Sequence, residues 1–116
     1  MIFALSTPPG VSAIAVIRTS GEGCIEAVSG CLDKKPIKKN LAFVTNFVAS
    51  GLVVDRVVVT PFFAPHSFTG EDMLEISCHG SPLVISQIFS ALEALGLSEA
   101  GPGEFSERAF VNGKLA

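Results

Sequence analysis

His66-Ser67-Phe68-Thr69-Gly70-Glu71-Asp72-Met73-Leu74-Glu75-Ile76-Ser77-Cys78-His79-Gly80 is the stretch on which the fold turns, because a polar, turn-forming run gives way at Met73 to a two-residue period. Over 73–78, Leu74 and Ile76 fall on one side and Met73, Glu75 and Ser77 on the other, the pattern of a β-strand resting on a core. Glu75 therefore faces away from the apolar pair. Three acids within five positions, beside hydroxyls, a thiol, two imidazoles and two glycines, are denser than a solubilising loop requires, so the segment is a candidate ligand site. The next residues make a helix: Ser81 is an N-cap, Pro82 suits the first helical position and Gly96 supplies the stop. Leu83, Val84, Ile88, Leu92 and Leu95 form its expected buried stripe.

Upstream, 52–63 and 41–48 read as two β-rich strands joined by Ala49-Ser50-Gly51, a hairpin, with Ala64-Pro65-His66 ending the later one. Residues 2–5 make a first short strand, stopped by Thr7-Pro8-Pro9-Gly10. Residues 13–18 are a near-continuous apolar run closed by Arg18, which predicts a strand covered on both faces. Ser20 is the expected N-cap of a helix reaching Leu32, with Ile25, Val28 and Leu32 at helical spacing and Cys24 and Cys31 on one face as small hydrophobes. Glycine at 103 and Asn112-Gly113 bound a last helix over 104–111. The order β-β-α-β-β-β-α-α predicts a single α/β (α+β) domain over 1–116, with a mixed sheet and about three helices.

A chain of 116 residues suits one domain, able to bury roughly two-thirds of its unfolded surface. Hydrophobic residues reach 48% and mean hydropathy is +0.53, yet every apolar run falls far short of the roughly 20 residues of a membrane helix. That surplus predicts a protein partner, either a second copy or further domains of a longer chain. A net charge of −3 offers no broad footprint for a polyanion, and Lys34, Lys35, Lys38 and Lys39 read as a solvated loop. Three cysteines without CxxC spacing, and no signal-like N-terminus, fit reduced thiols in a cytoplasm.

A second unusual segment, Gly101-Pro102-Gly103-Glu104-Phe105-Ser106-Glu107-Arg108-Ala109-Phe110-Val111-Asn112-Gly113-Lys114, answers the first. With Thr7-Pro8-Pro9-Gly10 and Val16-Ile17-Arg18-Thr19-Ser20-Gly21, these motifs closely resemble, in the same order and over nearly the whole chain, the N-terminal domain of the MnmE (TrmE) tRNA-modification GTPases. The chain departs at Ser81, where that family usually carries a second glycine. The resemblance implies a tetrahydrofolate-binding domain type, akin to the folate domain of aminomethyltransferases, and a homodimer. It implies 5-formyl- or 5,10-methylene-tetrahydrofolate as a one-carbon donor for carbon 5 of wobble uridine in tRNA. It further implies an MnmG-type flavoprotein partner, with GTP, Mg and K handled by helical and GTPase domains that these residues do not contain.

Glu75, Arg18 and Lys114 stand where the family contacts the folate. Glu75 can accept two parallel hydrogen bonds from a pterin, while a surface strand glutamate is the plain alternative. Arg18 can pair with a carboxylate tail or with Glu75 itself. Thr69, Glu71 and Asp72 are expected to cap the turn presenting Glu75. Cys78 and His79, adjacent and without further ligands at zinc spacing, do not make a metal site. Gly113-Lys114 is no phosphate loop, since Leu115 replaces Ser or Thr and Arg108 replaces the first glycine, so no triphosphate site is expected. Two other readings are a stand-alone aminomethyltransferase-like folate enzyme, with Asp72 or Glu71 as acid or base, and a purely structural dimerisation module in which Arg18 and Glu75 merely pair.

Overall fold

The structure is a computed structural model and describes residues 1–7, 13–35 and 41–114. Its strands are β1 (Ile2–Leu5), β2 (Ile14–Ser20), β3 (Phe43–Ala49), β4 (Leu52–Phe62), β5 (Met73–His79) and β6 (Ser98–Glu99). They form one sheet in the order β3-β4-β5-β2-β1-β6. Neighbours are antiparallel except β1 and β6, so the sheet is mixed and, with three helices, gives the α/β architecture expected from the sequence. The β3–β4 hairpin closes through Ser50 and Gly51 at φ 52° and 77°, the left-handed pair that matches a two-residue turn to strand twist.

One face of the sheet carries the core. Phe3, Ile17, Phe47, Val59, Leu74 and Ile76 are fully buried there beneath Val28 of helix α1 (Cys24–Ser29) and Ile88 and Leu92 of helix α2 (Pro82–Ala94). Helix α2 starts as predicted, with the Ser81 hydroxyl accepting from the Val84 N–H and Pro82 in the first turn. Val84, Ile88, Leu92 and Leu95 of its expected stripe face the core, and Leu83 does not. Leu83 is 67% exposed, and Ile85 and Phe89 pack inward instead, Phe89 meeting Phe3 edge-on at 4.8 Å.

Strand β2 corrects two expectations. It runs on to Ser20, so that residue is no helix cap; Gly23, at φ 82°, precedes α1, which ends at Ser29 well short of Leu32. The chain cannot turn helical at Ser20 because the Gly21 N–H is tied to the Asp72 carbonyl at 2.9 Å, extending the pairing with β5. Burial along β2 also alternates. Ala15, Ile17 and Thr19 are buried, Val16 and Arg18 half-buried, and Ile14 is exposed, so only one face is covered along most of its length.

The other face is roofed at one end only. Helix α3 (Glu104–Val111), with the bounds predicted, and the loop 66–72 lie over Met73 and Ser20, both buried. Strand β6 is an addition to the expected order, held by the Ser98 N–H to Met1 carbonyl and Ala100 N–H to Phe3 carbonyl bonds. Pro8, Pro9, Gly10, Lys38 and Lys39, on which the turn and basic-loop expectations partly fall, lie outside the described residues.

Candidate functional site

Arg18 and Glu75 face each other across the β2–β5 ladder, and Thr60 of β4 stands in register on the far side of Glu75. All three belong to the face away from the core, because β5 puts Leu74 and Ile76 on the other side. The Arg18 Nε–H donates to Glu75 Oε2 at 3.0 Å, and both side chains keep about a third of their surface open. Above them the Phe68 ring covers the guanidinium, 5.3 Å from its carbon to the ring centroid. Two of the three predicted site residues are thus in direct contact.

The loop carrying Phe68 is locked by polar contacts that sequence had assigned to turn capping. The Thr69 and Ser20 hydroxyls bond at 2.7 Å, and the Ser20 hydroxyl also reaches Glu71 Oε1 at 2.8 Å. Asp72 Oδ1 accepts from the Ala64 N–H at 2.8 Å, and the Ser67 hydroxyl donates to the Glu71 carbonyl. Arg108 of α3 ties the loop to the helix, donating to Glu71 at 3.0 Å and to Glu104 at 3.2 Å. Burial alone would lower the Arg108 pKa, but the bonds and charges of these two acids outweigh it and hold it raised. The Glu104 carboxyl is held low, chiefly by the Gly101 N–H it accepts and then, against some burial, by Arg108.

Lys114 sits at the other side of this loop. Its N–H closes α3 onto the Ala109 carbonyl at 2.8 Å, and its side chain is exposed against Gly70. Among the described residues it is bonded to neither Arg18 nor Glu75, so the structure brings two of the predicted residues together and leaves the third adjacent to the loop. Asn112 anchors the same segment, donating to the Thr69 carbonyl at 2.8 Å.

Glu71 and Asp72, needed as acid or base by the stand-alone enzyme reading, are spent on the loop network. His79 is engaged by Asp55, which accepts from its backbone N–H and meets its Nδ1, each at 2.8 Å. Among the described residues no three His, Cys, Asp or Glu side chains are placed to hold a metal ion. Two open grooves of about 410 and 450 Å³ run along α2, and neither is lined by Arg18 or Glu75. Phe68, Ser20 and Arg108 are the residues that sequence reading did not bring to this site. Only Phe68 carried a signal, as a lone aromatic in a polar loop.

The class of protein that carries this sheet, with a paired acidic and basic residue on its open face, follows from the chain's sequence relatives. The chain is a member of the family described as GTP-binding protein TrmE N-terminus, whose profile it matches over residues 1–114. It is 41% identical over 114 residues to a tRNA modification GTPase MnmE of Opitutus terrae, covering 98% of this chain and 25% of that protein. Proteins of the same description from Helicobacter pylori (40% over 114 residues, 98% and 25%) and Akkermansia muciniphila (42% over 120 residues, 98% and 26%) are similarly related. The chain spans about a quarter of the length of these curated relatives.

Proposed function

We propose that this chain is the reduced-folate site and the dimer contact of a cytoplasmic tRNA-modification GTPase of the MnmE type. The observation that carries this reading is the meeting of Arg18 and Glu75 on one open face, at the two motif positions that the resemblance to the family assigns to folate contact. Glu75 accepts from the ring N–H and exocyclic amine of the pterin, and Arg18 and Lys114 supply cations for the glutamyl tail. The bound 5-formyl- or 5,10-methylene-tetrahydrofolate supplies the one-carbon unit for carbon 5 of the wobble uridine. The residues of this chain bind and orient, and none acts as acid, base or nucleophile. GTP hydrolysis with Mg and K, and the encounter with tRNA and an MnmG-type flavoprotein, belong to the longer protein.

Support for the dimer comes from the same face. Val44 and Val58 are register partners there, 44% and 38% exposed, and Ile14, 61% exposed, lies beyond Ser77 and His79 of β5, apolar surface that a twofold partner would remove from water. The test is calorimetric titration of the 116-residue chain with 5-formyltetrahydrofolate, together with sedimentation at about tens of micromolar. Saturable binding by a dimer is expected. A folded chain that binds no folate would point to the structural module or to a site completed by further domains, and a monomer at that concentration would remove the dimer contact.

A further inference from the structure

Glu75 and Phe68 together already hold a ligand-like group, and it is the protein's own. The Arg18 guanidinium is a flat, donor-bearing plane: its Nε–H bonds to Glu75 Oε2 at 3.0 Å, while its central carbon lies over the Phe68 ring, 5.3 Å from the centroid. The amino-pyrimidine edge of a pterin is chemically a guanidine, with ring N–H, exocyclic amine and a planar π-face. A carboxylate and an aromatic ring that fit one of these groups fit the other.

We propose that Arg18 is a built-in occupant of the pterin subsite, which the incoming ring displaces, and that Phe68 is the platform on which that ring then stacks. This rests on the folate reading of the site. Displacement costs little, since a partly exposed ion pair and an exposed cation–π contact are each weak. Arg18 has a long flexible stem, so the guanidinium released from Glu75 can swing to the carboxylates of the glutamyl tail. A folate with its tail thus returns a partner to the arginine, whereas a bare pterin leaves the displaced charge without one. The site then discriminates for tailed folates through one side chain with two positions. Phe68 is well placed for this, being 40% exposed on a loop that the Thr69–Ser20 and Arg108–Glu71 contacts hold fixed.

The experiment measures two ligands, 5-formyltetrahydrofolate and the tail-less 6-methyltetrahydropterin, on wild type, Arg18→Met and Phe68→Leu, with circular dichroism to confirm the fold. Arg18→Met keeps the stem and removes the occupant. It is expected to bind the tail-less pterin about fivefold more tightly than wild type does, equivalent to about 1 kcal/mol, and the tailed folate no more tightly. Phe68→Leu is expected to weaken the tail-less pterin by about fivefold. Wild type that binds the tailed folate, together with an Arg18→Met affinity for the tail-less pterin that is unchanged or weaker, overturns the displacement while leaving the folate site standing. An unchanged affinity in Phe68→Leu overturns the platform. Wild type that fails to bind the tailed folate overturns the folate reading itself, and this proposal with it.

Discussion

Arg18 and Glu75, 57 positions apart in sequence, are direct cross-strand partners joined at 3.0 Å on the face of the sheet opposite the core. The pair connects the two motifs around residues 18 and 75, and its place on a half-open surface sets what it can contribute. An exposed ion pair adds about 0–1 kcal/mol to stability, whereas a charged hydrogen bond lost to a bound ligand costs on the order of 1.5–3 kcal/mol. The pair therefore adds little to holding the sheet together, and on the proposed folate reading its removal should show chiefly in ligand affinity.

Glu75→Gln separates the two roles. It keeps the size of the side chain and replaces one acceptor by a donor, so affinity for 5-formyltetrahydrofolate is expected to fall by roughly tenfold or more. The fold should survive. Glu99→Gln, an exposed change on β6, is the control. Equal affinities for wild type and both variants would remove Glu75 from the site.

Much of this arrangement was legible because its signals are local. Ser81-Pro82 and Gly96 frame α2, and Gly103 with Asn112-Gly113 frames α3, since caps and stops are written within a turn of where they act. The Leu74/Ile76 alternation gave the facing of Glu75 for the same reason. Ser20 has the local chemistry of an N-cap, a serine before glycines, while its actual partners, Thr69 and Glu71, are 49 and 51 positions away. The two-residue strand β6 is too short to carry a period, and Leu83 reads as inward because the edge of a 3.6-residue stripe can fall on it or on Ile85. The contact of Phe68 with Arg18 needs the strand register and the loop closure together, and no single window of sequence contains both.

Gly70 should be the least replaceable residue of the site loop. Its φ is 81°, and a Cβ there would come within 2.9 Å of Asn112 Cβ and 3.3 Å of Lys114 Cγ. Gly70→Ala is expected to cost about 1–2 kcal/mol for the left-handed backbone alone, with a further loss as Asn112 is pushed from the Thr69 carbonyl. Gly51→Ala shares the positive φ of 77° but meets nothing within 4 Å, so it isolates the backbone share. Urea unfolding of the two variants checks this, and equal destabilisation would mean that the loop and the α3 terminus yield without cost.

Acid should loosen the β3 region through Asp33. Its carboxylate accepts from the Asn46 backbone N–H at 3.0 Å, the Thr45 hydroxyl at 2.8 Å and the Asn46 amide at 2.8 Å, and these bonds lower its pKa from the ordinary 3.8. A depressed folded value means that the stabilisation is fully present above the unfolded value. It is lost as pH falls from there through the folded one. Asp33→Asn should therefore be less stable than wild type at neutral pH, with the gap closing as pH drops below 3.8. Unfolding curves from pH 7 downward test this, and a gap constant across that range would contradict the assignment.

The three thiols should be silent in the folded chain. Cys24 and Cys78 are buried, and burial first, with the nearby Asp72 charge for Cys24 and the Asp55 charge for Cys78, pushes each pKa up to about 11; burial also raises that of Cys31. A thiol three units above the solution pH is thiolate about one part in a thousand of the time, and the thiolate is the reacting form. At pH 8, then, both access and ionisation oppose modification of Cys24 and Cys78. A disulfide exchange reagent such as dithionitrobenzoate should titrate three thiols within seconds in urea but react slowly with the native chain, with Cys31 leading because it is the least buried of the three. Folate or a second copy is not needed for this protection, so it should hold at low protein concentration as well as high. Rapid native reaction of Cys24 without loss of circular dichroism would show that the contact of α1 with β5 opens far more readily than its packing implies.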